Sequence, residues 1–334
     1  MPFISDIIQH KRVSIVGLEK NTGKTECLNY IVRRLSALDI SLAITSIGID
    51  GERTDQVTQT AKPEIRLHEG VCFATSEKHY LQKKITAEII SISNDYTSTG
   101  RIVTARSKDK GSVILSGPTS HVALARWIQS IECLNIDVIL IDGALSRMSS
   151  ASPNISKAMI LSTGASVSTS LQTLVQKTAF KVEMMQLPVT QSTQASVFQT
   201  LERGIWGIDN HEELVDLHIN STFTQLDAVC QYPQIYVTGG LSDQFLKHCG
   251  ASPSHPIEII VRDFTKLFIS SATYQWFLKQ GGHISVLQRN ELIAICVNPT
   301  APNGYQLNSD LLCKSLAEKI NLPIYDIIKN DYTV

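Results

Sequence analysis

Near its amino terminus the chain reads Gly17-Leu18-Glu19-Lys20-Asn21-Thr22-Gly23-Lys24-Thr25. An apolar segment with Val13, Ile15 and Val16 precedes this run, and apolar residues at helical spacing follow it from Cys27 to Leu35. A strand, a glycine-bearing loop that ends in Gly-Lys-Thr, and a helix together form the usual arrangement of a phosphate-binding loop. The sequence therefore predicts a P-loop between a buried strand and an amphipathic helix.

The residue types in this loop suit the binding of a nucleotide. The predicted nucleotide-binding residues are Gly17, Asn21, Thr22, Gly23, Lys24 and Thr25. Small or flexible residues let successive backbone N–H groups turn toward an anion, and the following helix adds the positive end of its dipole. We expect Lys24, as a catalytic residue, to contact the β- and γ-phosphates, and the Thr25 hydroxyl to bind a metal ion. The predicted cofactors are ATP and Mg²⁺.

The loop departs from the usual P-loop spacing. Four residues normally separate the two glycines, which would place the first at Leu18, whereas this chain has it at Gly17. MinD-type ATPases carry a lysine five places before the P-loop lysine, and here that position holds Glu19. The pattern is instead similar to the dethiobiotin synthetase branch of P-loop proteins. The alternative is a chance Gly-Lys-Thr in an ordinary turn.

A second segment, Asp137-Val138-Ile139-Leu140-Ile141-Asp142-Gly143, ends an apolar strand in an acid. An acid at the tip of a strand beside a P-loop can orient Mg²⁺ or its bound water. Asp142 is therefore predicted to be a catalytic residue and a metal ligand, although buried strands that end in Asp also occur without function. Gly143 would permit close approach of a ligand. Ser146 and Arg147 could contact a phosphate or a carboxylate, or lie in a surface loop.

A third acidic segment follows the second predicted strand, which runs from Leu42 to Gly48. Loops at the carboxyl ends of parallel strands hold ligands in sheets of this kind. Asp50 is predicted there as a metal ligand, acting on Mg²⁺ through water, or as a residue that reads a substrate. A solvated turn is the alternative for Asp50, Glu52 and Asp55.

Composition excludes several classes of protein. The chain has 334 residues, 43% of them hydrophobic, and a formal net charge of −1, so no global field attracts nucleic acid or anionic lipid. Its apolar runs are shorter than a membrane span, and its first residues lack the basic start of a secretory signal. We therefore expect a cytoplasmic protein with neither a nucleic acid nor a membrane as partner.

The seven cysteines include no Cys-x-x-Cys pair, which argues against a zinc site or a disulfide framework. Cys27 lies in the first turn after the loop, where a thiolate would be favoured. The alternative for Cys27 is a buried position on the apolar face of the helix.

Apolar strands separated by helices indicate parallel strands that are buried on both faces. The segment 86–106, rich in Ile, Val, Thr and Ser, is instead predicted to be an antiparallel excursion. The predicted fold is α/β, with a mainly parallel P-loop NTPase-type sheet, helices on both of its faces, and a second α/β lobe.

We predict a nucleotide-binding domain over residues 1–185, a connector or inserted lobe over 186–232, and a C-terminal α/β lobe over 233–334. Two turns that follow predicted strands, Gly239-Gly240 and Asn298-Pro299, are further candidates to line a site. Asn298 could read a base or a substrate, or only form a proline turn. No Asn/Thr-Lys-x-Asp guanine motif occurs in the chain, which favours ATP over GTP.

Four phrases carry a resemblance to a known family. They are Ile15-Val16-Gly17-Leu18-Glu19-Lys20-Asn21-Thr22-Gly23-Lys24-Thr25, Thr45-Ser46-Ile47-Gly48-Ile49-Asp50-Gly51-Glu52, Lys62-Pro63-Glu64-Ile65 and Ile141-Asp142-Gly143-Ala144-Leu145-Ser146-Arg147. With them the chain resembles the smaller, P-loop subunit of lysine 5,6-aminomutase reactivase, from anaerobic lysine fermentation. The resemblance extends over most of the chain and is densest in residues 12–166.

This resemblance implies an ATP-driven accessory protein that acts on an adenosylcobalamin-dependent aminomutase client, beside a partner subunit similar to MutS-type ATPases. It transfers no catalytic residue beyond the P-loop and the strand that ends in Asp142. The chain has no Asp-x-His-x-x-Gly cobalamin motif, so any cobalamin would belong to the client.

The sequence is compatible with three functions. The first is a nucleotide switch or slow Mg-dependent NTPase that acts on a protein client. The second is a dethiobiotin synthetase-like ligase or kinase that activates a small carboxylate with ATP. The third is a binding module whose P-loop is inactive.

Overall fold

A computed structural model describes residues 3–47, 64–144, 153, 155–219, 222, 229–251 and 256–329. The chain divides into two compact units, the first comprising residues 1–179 and 290–334 and the second residues 180–289. Five residues predicted near the site lie outside the described residues: Asp50, Glu52, Asp55, Ser146 and Arg147.

The described helices and strands alternate along most of the chain. The helices are α1 (Phe3–His10), α2 (Lys24–Ser36), α3 (Glu77–Leu81), α4 (His121–Glu132), α5 (Leu171–Met185), α6 (Ala195–Phe198), α7 (Asp243–Gly250), α8 (Ser271–Lys279) and α9 (Ser309–Ala317). The strands are β1 (Arg12–Gly17), β2 (Leu42–Ser46), β3 (Ile65–Leu67), β4 (Cys72–Ser76), β5 (Ala87–Thr97), β6 (Gly100–Ser107), β7 (Gly111–Val113), β8 (Val138–Ala144), β9 (Ala158–Gly164), β10 (Ile205–Ile208), β11 (Leu214–Ile219), β12 (Gln234–Val237), β13 (Leu241–Ser242), β14 (Glu258–Val261), β15 (Leu267–Phe268), β16 (His283–Val286), β17 (Glu291–Asn298) and β18 (Ile324–Asp326).

The first unit is built on a nine-stranded sheet with the order β18-β17-β9-β1-β8-β2-β4-β6-β5. The strands from β18 to β4 are parallel to one another, whereas β6 runs antiparallel to both β4 and β5. The prediction of an α/β fold with a large, mostly parallel sheet is confirmed. The β5–β6 pair also confirms the antiparallel excursion that was predicted over 86–106.

Helices pack on both faces of the parallel strands. In β8, Val138 and Leu140 belong to one apolar cluster, and Ile139 and Ile141 belong to another. Successive side chains of a strand point to opposite faces, so the two clusters lie on opposite sides of the sheet. The first cluster includes Phe3 and Ile7 of α1 and Leu28, Ile31 and Leu35 of α2. The second includes Leu124, Trp127, Ile128 and Ile131 of α4.

Helix α2 follows β1 directly and covers it. Its buried residues recur at helical spacing, and they are Cys27, Leu28, Tyr30, Ile31, Val32 and Leu35. Burying one Leu or Ile side chain contributes about 1.5–3 kcal/mol, so this face is sufficient to hold the helix on the sheet. Two arginines, Arg33 and Arg34, lie in the last turn, where their positive charges interact favourably with the negative end of the helix dipole.

The second unit contains a five-stranded sheet with the order β11-β10-β12-β14-β16. Strands β12, β14 and β16 are parallel, and β10 runs antiparallel to its two neighbours. Its apolar cluster includes Phe198, Tyr236 and Ile260. Across the described ranges, no helix has both the length and the apolar character needed to cross a bilayer.

The two units differ from the three segments that the sequence predicted. Residues 290–334 were placed in a C-terminal lobe, but they join the first unit because β17 pairs with β9 and β18 pairs with β17. Residues 186–232, predicted as a connector, lie within the second unit, where β10 pairs with β12. The first boundary falls after residue 179 and not after 185.

Candidate functional site

Six parallel strands of the first unit carry a glycine or a polar residue near their carboxyl ends, on the face that α2 covers. We call these residues the polar row: Thr75 of β4, Ser46 of β2, Asp142 of β8, Gly17 of β1, Ser162 of β9 and Asn298 of β17. Each lies two residues after a member of the apolar cluster that contains α2, and side chains two residues apart share a face. Apolar packing along the strands therefore gives way to polar groups at the carboxyl ends, where ligands bind in sheets of this kind.

The predicted P-loop connects β1 to α2 within this row. Asn21 and Gly23 have left-handed backbone conformations, with φ values of 60° and 86°. The Thr22 hydroxyl donates to the Glu19 carbonyl over 3.1 Å, and Leu18 N–H donates to the Ser162 carbonyl over 2.8 Å. These bonds hold a compact loop whose turns can point backbone N–H groups toward an anion.

Two glycines of the loop are required by close contacts. A Cβ added at Gly17 would lie 2.6 Å from Thr22 Oγ1 and 3.1 Å from the Glu19 carbonyl. A Cβ added at Gly23 would lie 2.8 Å from Asn298 Cβ, at a residue whose φ already favours glycine. The loop therefore cannot accept a larger residue at either position without moving, which explains why both positions are glycine.

The two residues predicted to be catalytic meet. Lys24 Nζ lies 2.9 Å from Asp142 Oδ1, and 18% and 15% of the two side chains are exposed. Asp142 Oδ1 is nevertheless buried and accepts no well-directed hydrogen bond from the described residues. The contact with the ammonium group is therefore an ion pair without hydrogen-bond geometry. An ion pair with an unsatisfied carboxylate oxygen retains a lone pair for a metal ion or a water molecule.

Strand pairing places Asp142 beside the loop. In the sheet register, Asp142 is the neighbour of Ile15 in β1 and of Ser46 in β2. The Asp142 carbonyl accepts from Ile47 N–H over 3.1 Å, and the Ser46 hydroxyl accepts from Gly117 N–H over 3.0 Å. The position of the carboxylate is thus set by backbone pairing on both sides of β8.

Further unsatisfied polar atoms lie around the end of β9. Ser162 Oγ and Ser166 Oγ are buried without a hydrogen-bond partner in the described part of the chain, as is Asp142 Oδ1. Buried polar atoms of this kind need a water, an ion or a ligand to satisfy them. Ser162 was not predicted as a site residue from the sequence. Its position after the apolar run of a predicted strand was the feature that could have identified it.

The residues present fit a magnesium ion that is shared with phosphate groups. Among the described residues, no group of three or more His, Cys, Asp or Glu side chains could hold a metal ion. Mg²⁺ in nucleotide sites takes only one or two protein oxygens and completes its octahedron with phosphate and water. Asp142 and Thr25, in the first turn of α2, can supply those two oxygens. Asp50, the third predicted ligand, lies outside the described residues.

Two more residues reach the loop from distant parts of the sequence. Lys177 of α5 lies 3.5 Å from the Glu19 carboxylate and also donates to the Val167 carbonyl over 3.4 Å. Because both members of this ion pair are about half exposed, it contributes little to stability. It does place a positive charge beside the one acid of the loop. Asn298, at the end of β17, packs against Gly23.

The two turns that were singled out in sequence lie in different units. Asn298 belongs to the first unit, and its Oδ1 accepts from Thr300 N–H over 3.0 Å, which leaves its Nδ2 directed elsewhere. The turn at Gly239-Gly240 belongs to the second unit, where the Gly240 carbonyl accepts from the Thr222 hydroxyl and a Cβ at Gly240 would meet the Phe268 ring.

Cys27 occupies the buried position that was one of its two predicted alternatives. Its side chain is 0% exposed, and its Sγ donates to Cys296 Sγ over 3.3 Å. The contact with Cys27 and the burial raise the pKa of the Cys296 thiol well above its ordinary value. Cys296 is therefore protonated at neutral pH.

No protein-family model, curated protein or solved structure matches this chain. The loop, the polar row and the contacts between them are therefore the features of this chain that bear on its function.

Proposed function

We propose that the chain binds Mg-ATP in the loop from Gly17 to Thr25 and hydrolyses it slowly, as a P-loop NTPase. The observation that carries the proposal is the 2.9 Å contact between Lys24 Nζ and Asp142 Oδ1. A chance Gly-Lys-Thr turn has no reason to meet a strand-end acid, whereas a P-loop lysine and a metal-binding acid must face the same phosphate groups.

In the proposed site, each part of the loop has a separate task. The amino terminus of α2, a helix of 13 residues, presents N–H groups and a partial positive charge to the phosphates. Lys24 exchanges the Asp142 carboxylate for the β- and γ-phosphate oxygens. The Thr25 hydroxyl and the Asp142 carboxylate hold the metal ion, and Asp50 is proposed as a third ligand through water. A Mg²⁺ ion held there would supply positive charge to the phosphate oxygens during transfer.

The biological role that we propose follows from the family resemblance. The chain acts as a reactivase-like accessory protein on an adenosylcobalamin-dependent aminomutase, together with a MutS-like ATPase subunit. The slow turnover that we propose for the chain alone would suit a nucleotide switch that a partner accelerates. The phrases around the loop and around Asp142 support this role, and the formal net charge of −1 agrees with a protein client in place of nucleic acid.

A second candidate is a dethiobiotin synthetase-like ligase or kinase. The position of Gly17, one place earlier than the usual P-loop spacing requires, favours it. Such an enzyme should be stabilised against heat by a small carboxylate together with ATP. A nucleotide switch should instead capture a protein from native extract in an ATP-dependent manner, and an inactive module should bind ATP without cleaving it.

The first test is the melting temperature in the presence of Mg-ATP, of Mg-GTP and of neither. Ligand at a hundredfold excess over its dissociation constant stabilises the folded state by about 2.7 kcal/mol. We expect ATP to raise the melting temperature of the parent clearly more than that of a Lys24→Ala variant. An equal response of the two proteins, or no response of the parent to either nucleotide at millimolar concentration, would refute the P-loop assignment.

A further inference from the structure

Two buried thiols lie in contact directly behind the loop. Cys27 is in the first turn of α2, Cys296 is in β17, and their sulfur atoms are 3.3 Å apart. The side chains are 0% and 1% exposed. Neither thiol has a task in the proposed nucleotide site, so the pair requires a separate explanation.

The thiol pair is coupled to the loop through both of its elements. Cys27 N–H donates to the Gly23 carbonyl over 2.9 Å, which links the thiol to the last residue before α2. Cys296 precedes Asn298 by two residues on the same face of β17, and Asn298 is the residue that packs against Gly23. A change in the separation of the two sulfur atoms would therefore act on both sides of Gly23.

We propose that Cys27 and Cys296 form a site of oxidative modification, at which a peroxide joins them in a disulfide that weakens nucleotide binding by the loop. The effect on nucleotide binding rests on the proposed function, whereas formation of the disulfide does not.

The chemistry balances with a peroxide as the only co-reactant. One thiol displaces water from hydrogen peroxide and becomes a sulfenic acid, so that R–SH and H₂O₂ give R–SOH and H₂O. The second sulfur then attacks the sulfenic sulfur, and R–SOH and R′–SH give R–S–S–R′ and a second H₂O. The thiol pair loses two electrons and two hydrogens, and the peroxide is reduced to two waters.

Formation of the disulfide would displace residues of the loop far enough to affect nucleotide binding. A disulfide holds its sulfur atoms at about 2.0 Å, so the present contact must shorten by roughly 1 Å. Lys24 and Thr25 share the first turn of α2 with Cys27 and must shift with it. Misplacement by ~1 Å can reduce catalysis by up to about a hundredfold, so we expect a measurable loss of ATP affinity and turnover.

Burial determines how the site responds. Both sulfur atoms are shielded from solvent, so peroxide reaches them only when the first turn of α2 opens locally. Oxidation should then be slower than at the exposed Cys133. Once formed, the buried disulfide should for the same reason be reduced slowly, so dithiothreitol needs a long incubation to reverse it.

The test of the site uses the full chain without nucleotide. The protein is incubated with hydrogen peroxide, the remaining thiols are alkylated after unfolding, and the proteolytic peptides are analysed without reduction. We expect a cross-linked pair of peptides carrying Cys27 and Cys296 that has lost two hydrogens. Cys133→Ser should leave the cross-link intact, while Cys27→Ala and Cys296→Ala should each abolish it. Oxidation of Cys133 without any Cys27–Cys296 cross-link would refute the site.

The test of its effect compares the ATP affinity of reduced, oxidised and re-reduced protein, with circular dichroism to confirm that all three are folded. We expect oxidation to weaken ATP binding by about tenfold or more, and dithiothreitol to restore it. The two alanine variants provide independent controls, and either one that folds should retain its affinity after peroxide. Full cross-linking with unchanged ATP affinity would refute the regulatory effect. Failure of the reduced protein to bind ATP would instead refute the proposed function and the nucleotide part of this inference.

Discussion

Lys24 Nζ and Asp142 Oδ1 lie 2.9 Å apart and form an ion pair that joins the loop after β1 to the end of β8. Both side chains are mostly removed from water, so each charge depends on the other for compensation. Phosphate groups that enter the loop must therefore compete with the Asp142 carboxylate for the lysine. The released carboxylate then requires a cation, which a metal ion bound with the nucleotide can provide.

Replacement of Lys24 tests the loop directly. Lys24→Ala removes a charge-assisted contact worth about 1.5–3 kcal/mol, so ATP affinity should fall about 10- to 100-fold. Stability should fall as well, by about 1–3 kcal/mol, because Asp142 loses its counter-charge. Calorimetric titration measures the first effect and urea unfolding the second.

Lys20→Ala is the matched control, since it removes one positive charge from an exposed position of the same loop. It should retain most of the affinity. If both variants lose the same affinity, the loop attracts phosphate only through its overall charge, and the specific role of Lys24 is wrong.

Asp142→Asn tests the proposed metal site. The amide keeps the shape of the carboxylate and removes its charge, so Mg²⁺ should bind more weakly while much of the nucleotide affinity remains. We expect slower ATP hydrolysis and a higher Mg²⁺ concentration at half-maximal rate. Chelation of the metal with EDTA should abolish hydrolysis by the parent and by the variant alike.

Asp137→Asn provides a control just before the opposite end of β8, where Asp137 Oδ2 accepts from Ser41 N–H over 2.9 Å. Its Mg²⁺ dependence should match that of the parent. Identical Mg²⁺ titrations for the parent and for Asp142→Asn would show that Asp142 only terminates a strand.

Gly17→Ala tests the close packing of the loop. The added methyl group would lie 2.6 Å from Thr22 Oγ1, so the loop must open. Overpacking costs about 1–3 kcal/mol, and we expect ATP affinity to fall about tenfold or more. Gly239→Ala is the control because a Cβ there meets no atom within 4 Å. Unchanged ATP affinity in Gly17→Ala would mean that the nucleotide does not bind against this turn.

Asn298→Asp places a negative charge against Gly23 without changing the shape of the side chain. Its Oδ1 can still accept from Thr300 N–H, so folding should be preserved. Repulsion between the new carboxylate and the phosphates should lower ATP affinity by about tenfold. Asn303→Asp is an exposed control with a similar bond, from Tyr305 N–H to Asn303 Oδ1 over 3.1 Å. Equal ATP affinity in the two variants would place the phosphates away from Asn298.

Much of the core of the fold could be predicted from local patterns. The apolar run before Gly17 and the helical spacing after Lys24 specified β1 and α2, and the run that ends in Asp142 specified β8. These predictions succeed because a buried strand and an amphipathic helix depend on residues that are close in sequence. The same reasoning placed the boundary of the C-terminal lobe at 232/233, whereas residues 290–334 join the first unit. Local patterns predict a strand but do not show which sheet it joins.

The surroundings of the candidate site were only partly predictable. Asn298 was selected as a turn after a strand, but its contact with Gly23 was not foreseen, and neither was the pairing of Cys27 with Cys296. Both contacts arise because β17 returns to the first sheet and lies next to β9. The residues in each contact are at least 269 positions apart in the sequence. Contacts between such distant segments produce no local sequence pattern from which they could be predicted.

The amino-acid sequence by itself determined a glycine-bearing loop between a buried strand and a helix. These features depend on backbone preferences and on the spacing of apolar residues, and both are set by residues close together in the sequence. The tertiary structure alone decided that β8 and β9 flank β1, and that β17 lies beside β9. Parallel strands buried on both faces are all apolar, so their sequences do not specify neighbours, and packing of the whole sheet selects the order. That order is what brings Asp142 to Lys24 and Asn298 to Gly23.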